Sequence, residues 1–318
     1  MKNIYQPDLV TKEACKWLSG SGSYTGPEPR ANHGLIPLLS RELGLNGVNL
    51  QATAMWFKQE QILRKVLGKI NNAGIVLWAV KGFDLSRSVY PFPGGRPMCD
   101  ADLFIEEKNR QEIMSIFLED GWTKGSPGDG VFTSGIVSEM KMFKQGLMAE
   151  LHTHIFYFPA TFPGKLPYDL FESGRLLEPG VRGFAWHNAL LLVIIHMITN
   201  TSIRPVWWVD VHLLCNKITE ENRWDEFLIN ANRTNLCSVI AKPLETALNE
   251  LTSEVPIWVI KALQYQKNDR EDIIEKLKTG QKVPTLLNIR YLVGWKKISW
   301  SFALLWLLVI GKNPLKKE

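Results

Sequence analysis

The sequence predicts an α+β fold: a small mixed or antiparallel sheet with flanking helices, between an N-terminal helical segment and a C-terminal helical domain. Residues 48–74 and 184–218 carry apolar residues at helical spacing, which is typical of amphipathic or buried helices. The stretch from 75 to 155 contains short apolar and alternating runs that are typical of strands. Changes in the spacing of apolar residues divide the chain into three predicted parts, 1–74, 75–158 and 159–318.

The composition is that of a globular protein with a sizeable core. The chain has 318 residues, of which 45% are hydrophobic and 22% are charged. Its net charge of +5 and isoelectric point near 8.9 suit an anionic ligand such as a nucleotide. This bias falls short of the basic stripes of nucleic-acid binders, so we expect no nucleic-acid partner.

Cysteine usage and the N-terminus both favour a cytoplasmic location. The four cysteines are widely separated, with no CxxC pair, which favours reduced thiols over a disulfide framework or a zinc site. The N-terminus, MKNIYQPDLV, lacks the long apolar region of a signal peptide.

The N-terminal segment is predicted to hold two helices. The first includes residues 11–20, and a loop rich in Gly, Ser and Pro follows it. Apolar residues return at helical spacing in 48–74, where an Asn-Asn-Ala-Gly sequence indicates the helix end.

The middle part alternates between predicted strands and helices. The apolar run 75–80 predicts a buried strand, 83–90 a short helix, 100–106 a strand and 108–122 an amphipathic helix. Two further strands are expected at 131–143 and 147–155, joined by a turn at Lys-Gln-Gly. Such a unit of about 80 residues is typical of a small α/β or α+β core.

The C-terminal part is predicted to be helical, with its clearest helices at 184–200 and 206–218. An apolar run at 298–310 is flanked by lysines but is shorter than the roughly 20 residues that a membrane-spanning helix needs. Packing in the core or against a partner is one interpretation. Contact with a membrane surface, and hence peripheral membrane association, is the other.

Two aspartates one residue apart form the centre of the candidate site. On a strand, Asp100 and Asp102 would share one face, with Ala101 and Leu103 on the other. Two convergent carboxylates suit a hard cation such as Mg²⁺. A solvated strand end is the alternative, because pairs of this spacing arise by chance.

The second candidate strand adds a third acid. Met148, Glu150, His152 and His154 share one face by the same period of two. If this strand neighbours the first, Glu150 joins the aspartates in a geometry suited to two metal ions in phosphoryl or nucleotidyl transfer.

Cationic residues upstream could bind phosphate. Lys81 and Gly82 lie between a strand and a short helix, where free backbone N–H groups favour an anion. Arg87 and Arg96 add positive charge, although Arg96 could instead form a salt bridge with Asp100 or Asp102.

Four of the six histidines and Asp210 are assigned mainly structural roles. We expect His152 to orient Glu150 or its neighbours by hydrogen bonding, with direct metal ligation as the alternative. His154 is expected to be structural, and His187 and His196 to be core residues on an apolar helix. Asp210 is interpreted as a buried polar anchor, which could cap a helix or pair with His196.

Together these residues resemble a family of uncharacterised bacterial nucleotidyltransferases in the DNA polymerase beta-like superfamily. The resemblance covers residues 76–215, through Lys-Gly, Tyr-Pro, Arg, Asp-x-Asp, Glu-Leu-His, a helical His and Trp-x-x-Asp. The motif residues are Lys81, Gly82, Tyr90, Pro91, Arg96, Asp100, Asp102, Glu150, Leu151, His152, His196 and Asp210.

This resemblance implies transfer of a nucleoside monophosphate from a nucleoside triphosphate, with ATP expected, and release of pyrophosphate. Asp100 and Asp102 would bind two Mg²⁺ (or Mn²⁺) ions, and Glu150 would hold the one that activates the acceptor. Lys81, Arg96 and the Gly82 turn would neutralise the triphosphate.

Better-known superfamily members have a Gly-Ser turn, whereas here Phe83 follows Gly82. Ser86 is the candidate replacement for that serine. The acceptor is expected to be a peptide, a small molecule such as a natural-product intermediate, or a protein. Two alternatives stay open: a non-catalytic nucleotide- or peptide-binding module, and an HxH-type metal phosphohydrolase with His152 and His154 as ligands.

Overall fold

The structure is a computed structural model, which describes residues 5–30, 34–125, 139–153, 167, 169–200 and 203–265. The predictions made for His154, for the first part of the 131–143 strand and for the 298–310 run lie outside the described residues. Among the helices within these ranges, none combines the length and apolar character needed to cross a membrane.

Three helices form the N-terminal part: α1 (Leu9–Leu18), α2 (Ile36–Leu39) and α3 (Asn46–Asn72). Helix α1 begins where the Asp8 carboxylate accepts a hydrogen bond from the backbone N–H of Thr11 at 2.8 Å. Helix α3 ends before Gly74, whose φ of 73° is readily adopted only by glycine. Both long helices were expected from the sequence.

A seven-stranded mixed sheet follows α3 in the chain, which agrees with the predicted fold class. Its strands are β1 (Leu77–Ala79), β2 (Asp100–Phe104), β3 (Thr123–Lys124), β4 (Glu139–Lys144), β5 (Leu147–His152), β6 (Arg175–Glu178) and β7 (Val181–Gly183). The spatial order is β3-β4-β5-β2-β1-β7-β6. Strands β2 and β5 run parallel, as do β1 and β7, while β1 and β2 are antiparallel.

Two helices connect the first strands. Helix α4 (Lys81–Ser88) links β1 to the loop before β2, and α5 (Arg110–Glu119) follows β2 after a 3₁₀ turn at Glu107–Asn109. Helix α4 begins two residues earlier than expected, so Lys81 lies at its first position.

The C-terminal part contains α6 (Trp186–Thr199), α7 (Pro205–Glu221), α8 (Trp224–Thr234), α9 (Cys237–Glu250) and α10 (Ile257–Tyr265). Before these helices, the β6–β7 hairpin extends the sheet by pairing β7 with β1. The sequence analysis placed this stretch in the helical domain and missed the hairpin. The turn at Pro179-Gly180, between two short runs, was the available signal. The division at residue 158 stays a prediction.

The two faces of the sheet enter different apolar clusters. Ala101 and Leu103 of β2 pack in the cluster that contains residues of α3 and α5. On the opposite face, Phe104 packs with Trp78 of β1 and Leu192 of α6. Because side chains alternate along a strand, Asp102 shares the face of Phe104, toward the C-terminal helices.

Candidate active site

The central feature of the site is the register between β2 and β5. These parallel strands pair Asp102 with Glu150, Phe104 with His152, and Asp100 with Met148. Neighbouring strands were the condition for Glu150 to join the aspartates, and the sheet meets it. As a result, two acidic residues that are 48 positions apart in the sequence lie side by side.

Asp102, Glu150 and His152 form a compact buried group. The Nε2 atom of His152 lies 2.9 Å from Oδ1 of Asp102 and 3.7 Å from Oε2 of Glu150. One potential ligand atom from each residue lies within 4.8 Å of the other two. Two carboxylate oxygens and an imidazole nitrogen form a donor set that fits Mn²⁺, and the carboxylates suit Mg²⁺.

Asp100 occupies the expected face of β2, but it is not a member of that group. Its side chain is half-buried at the start of the strand. Burial, with a further contribution from the charge of Asp102, raises the pKa of the Asp100 carboxyl. The structure therefore groups Glu150 and His152 with Asp102, and the metal-binding role of Asp100 stays a prediction.

Lys81 contacts this group directly. Its Nζ donates to Oδ1 of Asp102 at 2.7 Å and lies 3.5 Å from Nε2 of His152. Although burial favours the neutral acid, Lys81 and the hydrogen bond from His152 hold the pKa of Asp102 well below its usual range. Asp102 is thus ionised over the whole physiological range of pH.

A second lysine contacts the other carboxylate. Lys141 of β4 is paired in register with Glu150, and its Nζ lies 3.5 Å from Oε1 of Glu150. The sequence analysis did not single out Lys141. Its place in the alternating run Glu-Met-Lys-Met-Phe, next to the turn into β5, was the available signal.

Arg96 has a different partner from the one proposed. Its Nε and Nη2 donate to the two carboxylate oxygens of Asp210 at 2.8 and 2.7 Å, so it pairs with neither Asp100 nor Asp102. The hydroxyl of Tyr90 donates to the same carboxylate at 2.8 Å. Asp210 is therefore the buried anchor that was expected, but its partners are Arg96 and Tyr90.

Arg96 also explains the glycine at position 82. A Cβ atom added to Gly82 would lie 2.2 Å from Nη1 of Arg96, which is closer than any real contact. The guanidinium group therefore packs directly against the first turn of α4. This contact places the ion pair of Arg96 and Asp210 next to the site.

Ser86 and Arg87 contact other parts of the structure. The Ser86 hydroxyl is buried and donates to the sulfur of Met98 at 3.2 Å. Arg87 pairs with Glu60 of α3 and lies 3.5 Å above the ring of Phe83. Six positions after Lys81, Arg87 lies about 120° away around the helix. These placements give no support to the predicted phosphate contacts, because each side chain already has a polar partner elsewhere in the protein.

Helix α6 packs on this face of the sheet and contacts α7. Leu192 packs with Phe104, and His196 follows Leu192 by one helical turn. The ring of His196 lies 4.6 Å from that of Trp207 of α7, edge to face. Burial, together with the charge of Lys81, lowers the pKa of His196 well below its usual value. The sequence analysis treated His196 as a core residue and did not place it near the acidic group.

Comparison with known proteins identifies the family. Residues 36–247, more than half of the chain, match the family model described as "Uncharacterised nucleotidyltransferase". The chain belongs to this nucleotidyltransferase family. No significant match is found among curated proteins.

Two solved structures show limited similarity to this nucleotidyltransferase. The crystal structure of ANT(2″)-Ia in complex with adenylyl-2″-tobramycin is 16% identical, with a TM-score of 0.40 over 55% of this chain and 98% of that chain. The solution structure of the antibiotic-resistance factor ANT(2″)-Ia is 11% identical, with a TM-score of 0.35 over 71% of this chain and 99% of that chain.

Proposed function

We propose that this chain is a metal-dependent nucleotidyltransferase that moves a nucleoside monophosphate from a nucleoside triphosphate, with ATP as the expected donor, to an acceptor. The observation that carries the proposal is the pairing of Asp102 with Glu150 across β2 and β5, with His152 within 4.8 Å of both. Membership of a nucleotidyltransferase family supports the reaction class.

In this proposal, Asp102 and Glu150 are the principal metal ligands, and Asp100 contributes from the same face of β2. Bound divalent cations would activate the acceptor oxygen and stabilise negative charge on the phosphates. The hydrogen bond between His152 and Asp102 fixes the orientation of that carboxylate.

Lys81 and the start of α4 would bind the triphosphate. The first turn of a helix presents backbone N–H groups with no partner inside the helix, which favours an anion. The Arg96 guanidinium packs against this turn at Gly82, where its buried ion pair with Asp210 fixes the turn in position. Lys81 and this turn would stabilise the charge that develops on the leaving pyrophosphate.

The proposed reaction is a substitution at the α-phosphorus. The acceptor oxygen forms a bond to this phosphorus, and the bond from the phosphorus to the oxygen that bridges to the β-phosphate breaks. Pyrophosphate leaves with that electron pair, and the acceptor proton passes to solvent. A peptide, a natural-product intermediate or another small molecule, or a protein would each satisfy this chemistry through a hydroxyl group.

The position of His152 also favours a second candidate, a metal phosphohydrolase with an HxH ligand pair. Its Nε2 atom lies within reach of a metal held by Asp102 and Glu150. In that case water attacks the terminal phosphate, and inorganic phosphate forms without an acceptor.

Calorimetry with ATP tests the proposal. We expect ATP to bind when Mg²⁺ is present and not when EDTA is present, and Asp102→Asn to remove the metal-dependent binding. Equal affinity under the two conditions would indicate a metal-independent binding module. Release of inorganic phosphate from ATP by the protein alone, lost in Asp102→Asn, would indicate the phosphohydrolase.

A further inference from the structure

We propose that Lys81 is an exchangeable counter-ion, bonded to Asp102 in the absence of ligands and transferred to the triphosphate when metal and nucleotide bind. Binding of the divalent cation and binding of the nucleotide then favour each other through this one side chain. The inference rests on the proposed nucleotidyltransferase function and deepens it by coupling the two halves of the site.

The ammonium group of Lys81 competes with a metal ion for the same carboxylate. Oδ1 of Asp102 accepts from Lys81 at 2.7 Å and contacts His152 at 2.9 Å. A metal ligated by Asp102 would have to bind this carboxylate while the ammonium group of Lys81 is still hydrogen-bonded to it. Two cations so close in a buried site repel strongly, so Lys81 has to leave for a metal to bind well.

The backbone keeps Lys81 within a short distance of both positions. The N–H of Val80 donates to the carbonyl oxygen of Asp102 at 3.1 Å, so the chain is fixed next to the carboxylate. Lys81 is the first residue of α4, and the first turn of a helix is a region that favours a bound anion. Rotation of the side chain alone can therefore move the ammonium group from carboxylate to phosphate.

The conformation of Lys81 is consistent with a functional constraint. Its φ is 49°, in the left-handed region that a residue with a Cβ atom adopts only at a cost in free energy. Glycine would avoid that cost, but it would lack the ammonium group that contacts Asp102.

The coupling follows from the change of partner. A metal alone has to break the pair between Lys81 and Asp102 without supplying a new partner for the lysine. With a triphosphate present, the released ammonium group gains charge-assisted hydrogen bonds to phosphate oxygens. Because linkage is reciprocal, the nucleotide strengthens metal binding by the same factor as the metal strengthens nucleotide binding.

The test compares the wild-type protein with Lys81→Met in two calorimetric titrations. One follows Mn²⁺ alone, and the other follows α,β-methylene-ATP in the presence of saturating Mn²⁺. Lys144→Met is the matched control, because both lysine side chains are 18% exposed and each donates to a carboxylate. Lys144 differs in that its partner, Asp120, lies outside the acidic group.

We expect Lys81→Met to bind Mn²⁺ alone about 10-fold more tightly than wild type and the analogue with Mn²⁺ about 10-fold more weakly. These changes have opposite signs, whereas a damaged fold would weaken both affinities. Lys144→Met should change neither affinity.

Unchanged or weaker Mn²⁺ binding by Lys81→Met would overturn the inference. If, in that case, the analogue binds wild type with Mn²⁺ but not with EDTA, the proposed function stands without the inference. If Mn²⁺ binds neither protein, or binds Asp102→Asn as well as wild type, the proposed metal site and the inference both fail.

Discussion

At the scale of single residues, Asp102 connects the parts of the candidate site. It lies opposite Glu150, bonds to Lys81 and contacts His152, and only 5% of the residue is exposed. Burying an ionised carboxylate costs free energy unless a nearby positive charge compensates it. Lys81 supplies that compensation in the structure, and a divalent cation would supply it in the proposed active state.

The order of damage from two substitutions distinguishes a carboxylate-centred site from a histidine-centred one. Asp102→Asn removes the charge that the metal needs, so metal affinity and turnover should both collapse. His152→Ala should be milder, with a loss of about 10–100-fold, because this histidine orients Asp102. Mn²⁺ titrations of both variants, with folding checked by circular dichroism, measure the order. If His152→Ala abolishes metal uptake and Asp102→Asn only weakens it, the histidine is a primary ligand.

At the scale of elements, a buried ion pair joins the loop before β2 to helix α7. Arg96 is 7% exposed and Asp210 is 1% exposed, and their two parallel hydrogen bonds fix the geometry. Tyr90 from the same loop adds a third bond to Asp210. Because Arg96 also packs against Gly82, this pair positions the first turn of α4 relative to the C-terminal helices.

Breaking this pair should destabilise the protein strongly. Asp210→Asn leaves the Arg96 charge buried without a counter-charge, and we expect a loss of about 3–5 kcal/mol in the free energy of unfolding. Tyr90→Phe removes one hydrogen bond from Asp210 and should cost about 1 kcal/mol. Urea unfolding followed by tryptophan fluorescence measures both values. Equal losses in the two variants would show that the ion pair contributes little beyond an ordinary hydrogen bond.

At the scale of the whole molecule, the N-terminal helix packs on the C-terminal half. Val10 and Ala14 of α1 lie in the same apolar cluster as residues of α6, α7 and α9. His212 adds hydrogen bonds to this contact. Nε2 of His212 lies 3.3 Å from the hydroxyl of Ser19, and Nδ1 lies 3.0 Å from the hydroxyl of Ser253. His212 thus joins α1, α7 and the segment after α9.

This histidine should make the stability of the protein depend on pH. Burial lowers the pKa of His212 from its usual 6.5 to about 4, so the unfolded chain binds a proton more readily than the folded one. The contribution of the neutral imidazole to the free energy of unfolding is fully present above pH 6.5. As the pH falls toward 4, the free energy of unfolding decreases by about 3 kcal/mol.

The difference between wild type and His212→Gln isolates this effect. Glutamine does not titrate, so the variant should have a flatter profile of unfolding free energy between pH 6.5 and 4, although its stability at pH 7 is lower. Denaturant unfolding at a series of pH values gives both profiles. Parallel profiles for the two proteins would show that protonation of His212 does not destabilise the protein.

The sequence by itself determined which residues share a face and which segments are helices or strands. The period of two along a strand separated Asp102 from Ala101 and Leu103, and it grouped Glu150 with His152. Helical spacing likewise located α1, α3, α6 and α7. These patterns are local, since each depends only on residues within the same element. The motif residues also carried the resemblance that the family match confirms.

Only the tertiary structure decided which of these residues meet. The parallel pairing of β2 with β5 brings Asp102 next to Glu150 although β3 and β4 intervene in the chain. Arg96 and Asp210 meet across 114 positions, so the arginine assigned to phosphate binding is part of a buried pair. Lys81 faces the carboxylate because α4 begins directly after β1. Contacts at this sequence separation depend on how elements pack, and no local pattern of residues contains that information.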